Sequence, residues 1–154
     1  CGKEVSSAGE ACANCSHPIA DSVDAYFNEQ KLIAEAIDSN ELQERGDLFY
    51  APDQQTPYTG WAKWMRDNGQ IEGVGQWKDG KSDGLTIWWY PNGQKRSEDI
   101  YKDGKLLTAI GWKPNGEKCP HTNVVDGNGV WVKYHDDGRE YGHATYKDGE
   151  RVRD

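Results

Sequence analysis

From residue 60 to the end of the chain, apolar and polar side chains alternate at period two in runs of about eight residues, the pattern of strands that turn one face to a core. Asn-Gly or Asp-Gly pairs punctuate these runs at 68–69, 92–93, 115–116 and 137–138, and each is answered eleven residues later by an Asp-Gly, at 79–80, 103–104, 126–127 and 148–149. Such pairs between alternating runs select tight hairpin turns. The pattern therefore predicts a mainly β fold: a single-layer, twisted antiparallel β-meander of tandem repeats spanning Gly60–Asp83, Gly84–Leu107, Thr108–Gly129 and Val130 to the end.

The faces bear on the turn type. Before each first turn one face carries Trp61 and Met65, then Leu85, Ile87 and Trp89, then Ile110 and Trp112, then Val130, Val132 and Tyr134. After it, alternate positions give Ile71, Gly73, Gly75 and Trp77, and later Tyr101, Val124 and Tyr146. A three-residue loop ending in glycine puts these sets on one side, whereas a two-residue turn separates them. The expected turn is thus type I with a glycine bulge, and Pro91 and Pro114 fall where proline already has the required φ. The rhythm slips between Tyr101 and Ile110, where Leu106-Leu107 predicts a bulge or a wider loop.

Upstream, residues 1–20 read as a polar tether and residues 21–40 as one amphipathic α-helix. Asp21 or Ser22 serves as its N-cap, and Val23, Phe27, Ile33, Ala34 and Ile37 recur at helical spacing up to a stop near Ser39-Asn40. Residues 41–154 form the repeat domain, led in by a hairpin broken at Gly46-Asp47 and a loop from Pro52 to Pro57. With 35% hydrophobic residues, burial falls largely to seven Trp and eight Tyr. A net charge of -8 argues against a nucleic-acid partner, which requires a clustered basic surface. No stretch is apolar enough to cross a bilayer as a helix.

The phrases Trp-Lys-Asp-Gly-Lys at 77–81, Tyr-Lys-Asp-Gly-Lys at 101–105 and Tyr-Lys-Asp-Gly-Glu at 146–150, with Tyr90-Pro91-Asn92-Gly93-Gln94-Lys95-Arg96-Ser97-Glu98, resemble the MORN-repeat variant of bacterial YwqK-type antitoxin-like proteins. The resemblance covers about residues 41–154 and implies the repeat fold; as to activity it implies a toxin-neutralising protein. Two departures stand out: Glu117-Lys118-Cys119-Pro120-His121-Thr122 replaces the usual phrase in the third repeat, and residues 1–40 lie outside the pattern. Cys1-Gly2-Lys3-Glu4 with a small polar tether resembles the mature end of a bacterial lipoprotein. That resemblance implies a covalent lipid on Cys1 and an extracytoplasmic, membrane-anchored protein, on the periplasmic face or the cell surface.

Cys12-Ala13-Asn14-Cys15-Ser16-His17 departs from a c-type haem site because Ser16 separates the second cysteine from the histidine. In an oxidising compartment Cys12, Cys15 and Cys119 are disulfide candidates. The competing reading is a zinc site from Cys12, Cys15, Cys119 and His121, the last two at i and i+2 on one strand face. No other cofactor is expected.

The second sheet face holds Trp64, Trp88, Tyr90, Trp131 and Tyr141 among charged neighbours, a candidate binding surface for another protein. Its bland alternatives are that the helix at residues 21–39 covers part of it, or that each Trp stacks over small residues of adjacent strands. Carboxylates fall mainly in turns, and His135 and His143 have no evident catalytic partner, so an enzyme is not expected. The reading that follows is a non-enzymatic, membrane-anchored protein-binding module, an accessory subunit of an envelope complex. A cell-wall or carbohydrate-binding module is the further alternative, because Thr59-Gly60-Trp61 followed by Asn68-Gly69 resembles choline-binding repeats.

Overall fold

The structure is a computed structural model and describes residues 28–153. The tether and the expected helix start therefore lie outside the described residues, with Cys1, Cys12, Cys15, Val23 and Phe27 among them. The chain divides into two compact units, Cys1–Glu35 and Ala36–Asp154. In the first, residues 28–35 are helical, with Lys31 and Glu35 facing each other at 3.9 Å one turn apart.

The helix stops short of the expected Ser39-Asn40. Ile37–Asp38 form β1, which pairs in parallel with β4 (Gly60–Met65), and a 3₁₀ turn follows at Ser39–Glu41, capped by the Asp38 carboxylate accepting from Asn40 N–H. Ile37 thus leaves the helical stripe because a sheet edge offers its backbone partners. β2 (Gln43–Arg45) and β3 (Leu48–Tyr50) make the expected lead-in hairpin around Gly46-Asp47.

The second unit is an open, mostly antiparallel meander, as the alternation predicts. β4, β5 (Ile71–Lys78), β6 (Lys81–Trp89), β7 (Lys95–Lys102) and β8 (Lys105–Gly111) pair in chain order with β1 at one edge. A three-stranded sheet follows, β9 (Gly129–Tyr134), β10 (Glu140–Lys147) and β11 (Glu150–Arg151).

The first turns are the expected three-residue loops. Arg66 N–H donates to Gln70 O and Gly69 N–H to Arg66 O, and the pattern recurs from Tyr90, Lys113 and His135. In each, the Asn or Asp side chain accepts from the backbone N–H two residues on, as Asn68 does from Gln70. The Asp-Gly turns differ. Lys78 pairs directly with Lys81 across Asp79-Gly80, a two-residue turn whose residues are both left-handed, with φ of 50° and 79°.

The expected face assignment is corrected by a β-bulge just past each three-residue loop. Met65 pairs with Ile71, as alternation requires, but Trp64 then pairs with Gly73 and Glu72 is skipped; Arg96 and Tyr141 are skipped in the same way. One extra residue reverses every side chain beyond it. Gly73, Gly75, Trp77, Tyr101 and Tyr146 therefore share a side with Trp64, Trp88 and Trp131, not with Leu85, Ile87, Val130 and Val132. At the predicted slip, Ile100 pairs with Thr108 and Tyr101 with Leu106, so Leu107 is bulged out while Leu106 is buried.

In the third repeat the returning strand survives only as bridges, Trp112–Lys118 and Ala109–Val124, because Pro120 has no N–H to donate. Continuity comes through backbone contacts of the turns: Gly127 N–H donates to Leu107 O and Gly149 N–H to Gly127 O. Gly127 has φ of 76° and a Cβ there would stand 2.5 Å from Gly149 N. Gly127→Ala is expected to lower stability by about 2 to 3 kcal/mol, whereas Gly138→Ala, equally left-handed but facing open space, costs about 1 kcal/mol. Urea midpoints of the two variants check the order.

Candidate functional site

Along one side of the sheet the backbone ladder places small residues in a continuous floor. Ala62 pairs with Gly75, Gly75 with Thr86, Thr86 with Asp99 and Asp99 with Ala109; in the next row, Trp64, Gly73, Trp88, Ser97 and Gly111 are successive partners. Two indoles lie over this floor. Trp64 and Trp88 rings are 4.7 Å apart, and a Cβ on Gly73 would meet the Trp88 ring at 2.5 Å. Further along, Trp131 and Tyr146 rings stand 6.4 Å apart, packed with Tyr101 against the buried cluster of Leu106, Ala109 and Val124.

Of the five aromatic residues expected on a binding surface, Trp64, Trp88 and Trp131 share this side and keep part of each ring in solvent. Tyr90 does not belong with them: it is 3% exposed, its hydroxyl donating to Trp112 O at 2.9 Å. Tyr141 is 49% exposed, its ring 4.6 Å from His135 and its hydroxyl 3.3 Å from the Arg96 guanidinium. Stacking over small residues and partial exposure are thus both true of the indoles. The small residues that make the floor, Gly73, Gly75 and Ser97 with the carboxyl of Asp99, stand at period-two spacing in the chain.

Asp99 lies in the floor at 0% exposure. Ser97 Oγ donates to its Oδ2 at 3.2 Å, and Oδ1 has no hydrogen-bond partner. Burial pushes its carboxyl up to about 7, against the Ser97 hydrogen bond and the Arg96 charge, which pull the other way. Burial first, and then the Asp99 charge, also push the Tyr101 hydroxyl well above its ordinary value. Beside this pair a hollow of ≈ 700 Å³ opens between Tyr101, Leu106, Tyr146, Arg151 and Arg153.

The cysteine and metal expectations meet a different geometry. Cys119 and His121 do not project from one strand face: Cys119 is 1% exposed and packs with Val132 and Tyr134, while the Pro120-His121 turn leaves His121 exposed. Cys119 is a free thiol with its Sγ 3.2 Å from Tyr134 Oη, and the Thr122 hydroxyl donates to it at 3.5 Å. Burial raises the thiol, but these bonds and the N–H groups of His121 and Thr122 outweigh it and hold it below the ordinary range. The bond to Cys119, reinforced by burial, pushes Tyr134 up to about 12. Among the described residues no three potential metal ligands cluster.

Comparison with protein families, with curated proteins and with solved structures found no match for this chain.

Asp99 yields a pH dependence of known sign. Its carboxyl ionises near 3.8 in the unfolded chain but near about 7 when folded, so stability falls as pH rises from about 4 to about 7 and is level above that. The full effect is roughly 4 kcal/mol. Asp99→Asn is expected to match the wild type at pH 4 and to exceed it at pH 8, read as urea midpoints; equal midpoints at both pH values would contradict this placement of the carboxylate.

Proposed function

We propose that this chain is a non-catalytic binding module that holds another protein against its indole-bearing side. The observation that carries the reading is the Trp64–Trp88 pair, 4.7 Å apart, with Gly75 beneath Trp64 and Gly73 beneath Trp88. Rings held in this way lose little freedom on association, and large, pre-ordered aromatics are the residues that dominate protein interfaces. Trp131 extends the same side, with the Lys133 ammonium 5.9 Å from its ring centre. The repeat gives such a surface length without requiring a deep pocket, which suits a protein partner.

The test is affinity purification of the full chain from its native membranes in mild detergent, with quantitative mass spectrometry. Trp88→Ala and Trp131→Ala are run in parallel, and their folding is verified by thermal melts. A partner present with wild type and depleted at least about tenfold by either variant is the expected result. A chain that runs alone as a monomer refutes the reading, and variant-sensitive retention on insoluble peptidoglycan in place of a protein moves it to carbohydrate.

A further inference from the structure

The first three of the three-residue loops each carry an Asn-Gly pair, at 68–69, 92–93 and 115–116. In such a pair the glycine nitrogen can close on the asparagine Cγ, because it is one residue away and no side chain on the glycine hinders the approach. Each loop supplies part of what that reaction needs. The asparagine Oδ1 accepts a backbone N–H from two residues on, from Gln70, Gln94 and Glu117, at 3.0 Å in all three. A donor at that oxygen stabilises the oxyanion that forms as the nitrogen adds. The glycine N–H is held 2.9 Å from the carbonyl of Arg66, Tyr90 or Lys113, and leaves it before attack.

The loops differ in how the carboxamide nitrogen, the leaving group, is held. Asn92 Nδ2 donates at 2.8 Å to the backbone carbonyl of Pro114, a buried residue, and so ties its loop to the next one. A Cβ on Gly116 would stand 3.2 Å from Gln94 Oε1, so these two loops also touch side by side. The Asn115 carboxamide hydrogen-bonds the Glu117 carboxylate and, with Lys113, holds it below its ordinary range. Asn68 has no such tie among the described residues. Its Nδ2 donates to Gln70 Oε1 at 2.9 Å, an exposed side chain of the same loop, and a Cβ on Gly69 would meet nothing within 4 Å. The first loop can therefore rearrange without disturbing a neighbouring one.

We propose that Asn68 is a self-modification site of this chain, converting through a succinimide to aspartate and isoaspartate, while the tie to Pro114 protects Asn92. Gly69 N bonds to Asn68 Cγ, the Cγ–Nδ2 bond breaks, and ammonia leaves with the glycine proton. Water then opens the ring, at Cγ to give aspartate or at the Asn68 backbone carbonyl to give isoaspartate. The fourth loop shows that the first product fits: Asp137 takes the same place and accepts from Arg139 N–H at 3.0 Å. Isoaspartate puts one more carbon in the backbone of a loop closed by Arg66 N–H on Gln70 O. The strain falls on the adjoining pairs, Met65 with Ile71 and Trp64 with Gly73. No partner is involved, so this site and the binding reading above stand or fall separately.

The experiment incubates the purified full chain at about pH 8, folded and in concentrated urea, and follows each Asn-Gly peptide by mass spectrometry with isoaspartyl methyltransferase labelling. In the folded chain Asn68 is expected to convert at least about fivefold faster than Asn92, the factor that one retained hydrogen bond supplies. Asn115 falls between them, and in urea the three rates converge. The isoaspartate fraction melts below the wild type, whereas Asn68→Asp melts with it. The proposal is overturned if Asn92 keeps pace with Asn68 in the folded chain, if the same order persists in urea, or if Asn68 stays unmodified while the urea sample reacts.

Discussion

Two successive residues in the left-handed backbone region, an aspartate and then a glycine, set the pitch of this sheet. At Asp79, Asp103, Asp126 and Asp148 the φ values lie between 49° and 52°, a conformation that type I′ turns require and that aspartate tolerates better than most side chains. Each turn is also tied to its neighbour. The Asp79 N–H donates to Thr59, that of Asp103 to Asp83 and that of Asp148 to Asn128, and the following glycine N–H donates to a carbonyl of the preceding connection. A column of turns results along one end of the strands. The strands inherit their spacing from it, which is why the array continues across the third repeat even though the strand there is broken.

With spacing fixed by the turns, side-chain volume decides what each face does. Large indoles need floor space, and the partners opposite Trp64, Trp88 and Trp131 are glycine, serine or alanine. Asp99 is the exception, a carboxyl in a row of small groups, with one oxygen lacking a hydrogen bond. A protonated carboxyl fits that row where a carboxylate carries a desolvation cost, so the same packing that braces the indoles makes the fold sensitive to pH. Bracing and exposure coexist because each ring is supported from below and open above.

The third repeat shows how one residue type reassigns a position. Where its neighbours place Glu72, Arg96 and Tyr141 at the bulge, this repeat has Cys119, followed by a proline that cannot donate to a ladder. The chain turns inward instead, and the thiol is taken into a small cluster with Val132 and Tyr134. The pairing with His121 suggested by i, i+2 spacing fails for that reason: the spacing rule belongs to strands, and Pro120 prevents one.

The period-two alternation and the dipeptides at each turn determined the meander, the three-residue loops and the bulge at Leu106-Leu107, because these depend on local backbone preferences. Small residues at alternate positions, from Gly73 and Gly75 to Ser97 and Asp99, were also legible as a pattern. Which aromatics they would sit beneath was not. That depended on a second bulge at Glu72, Arg96 and Tyr141, three residue types with no shared turn preference, where one skipped residue exchanges the two faces.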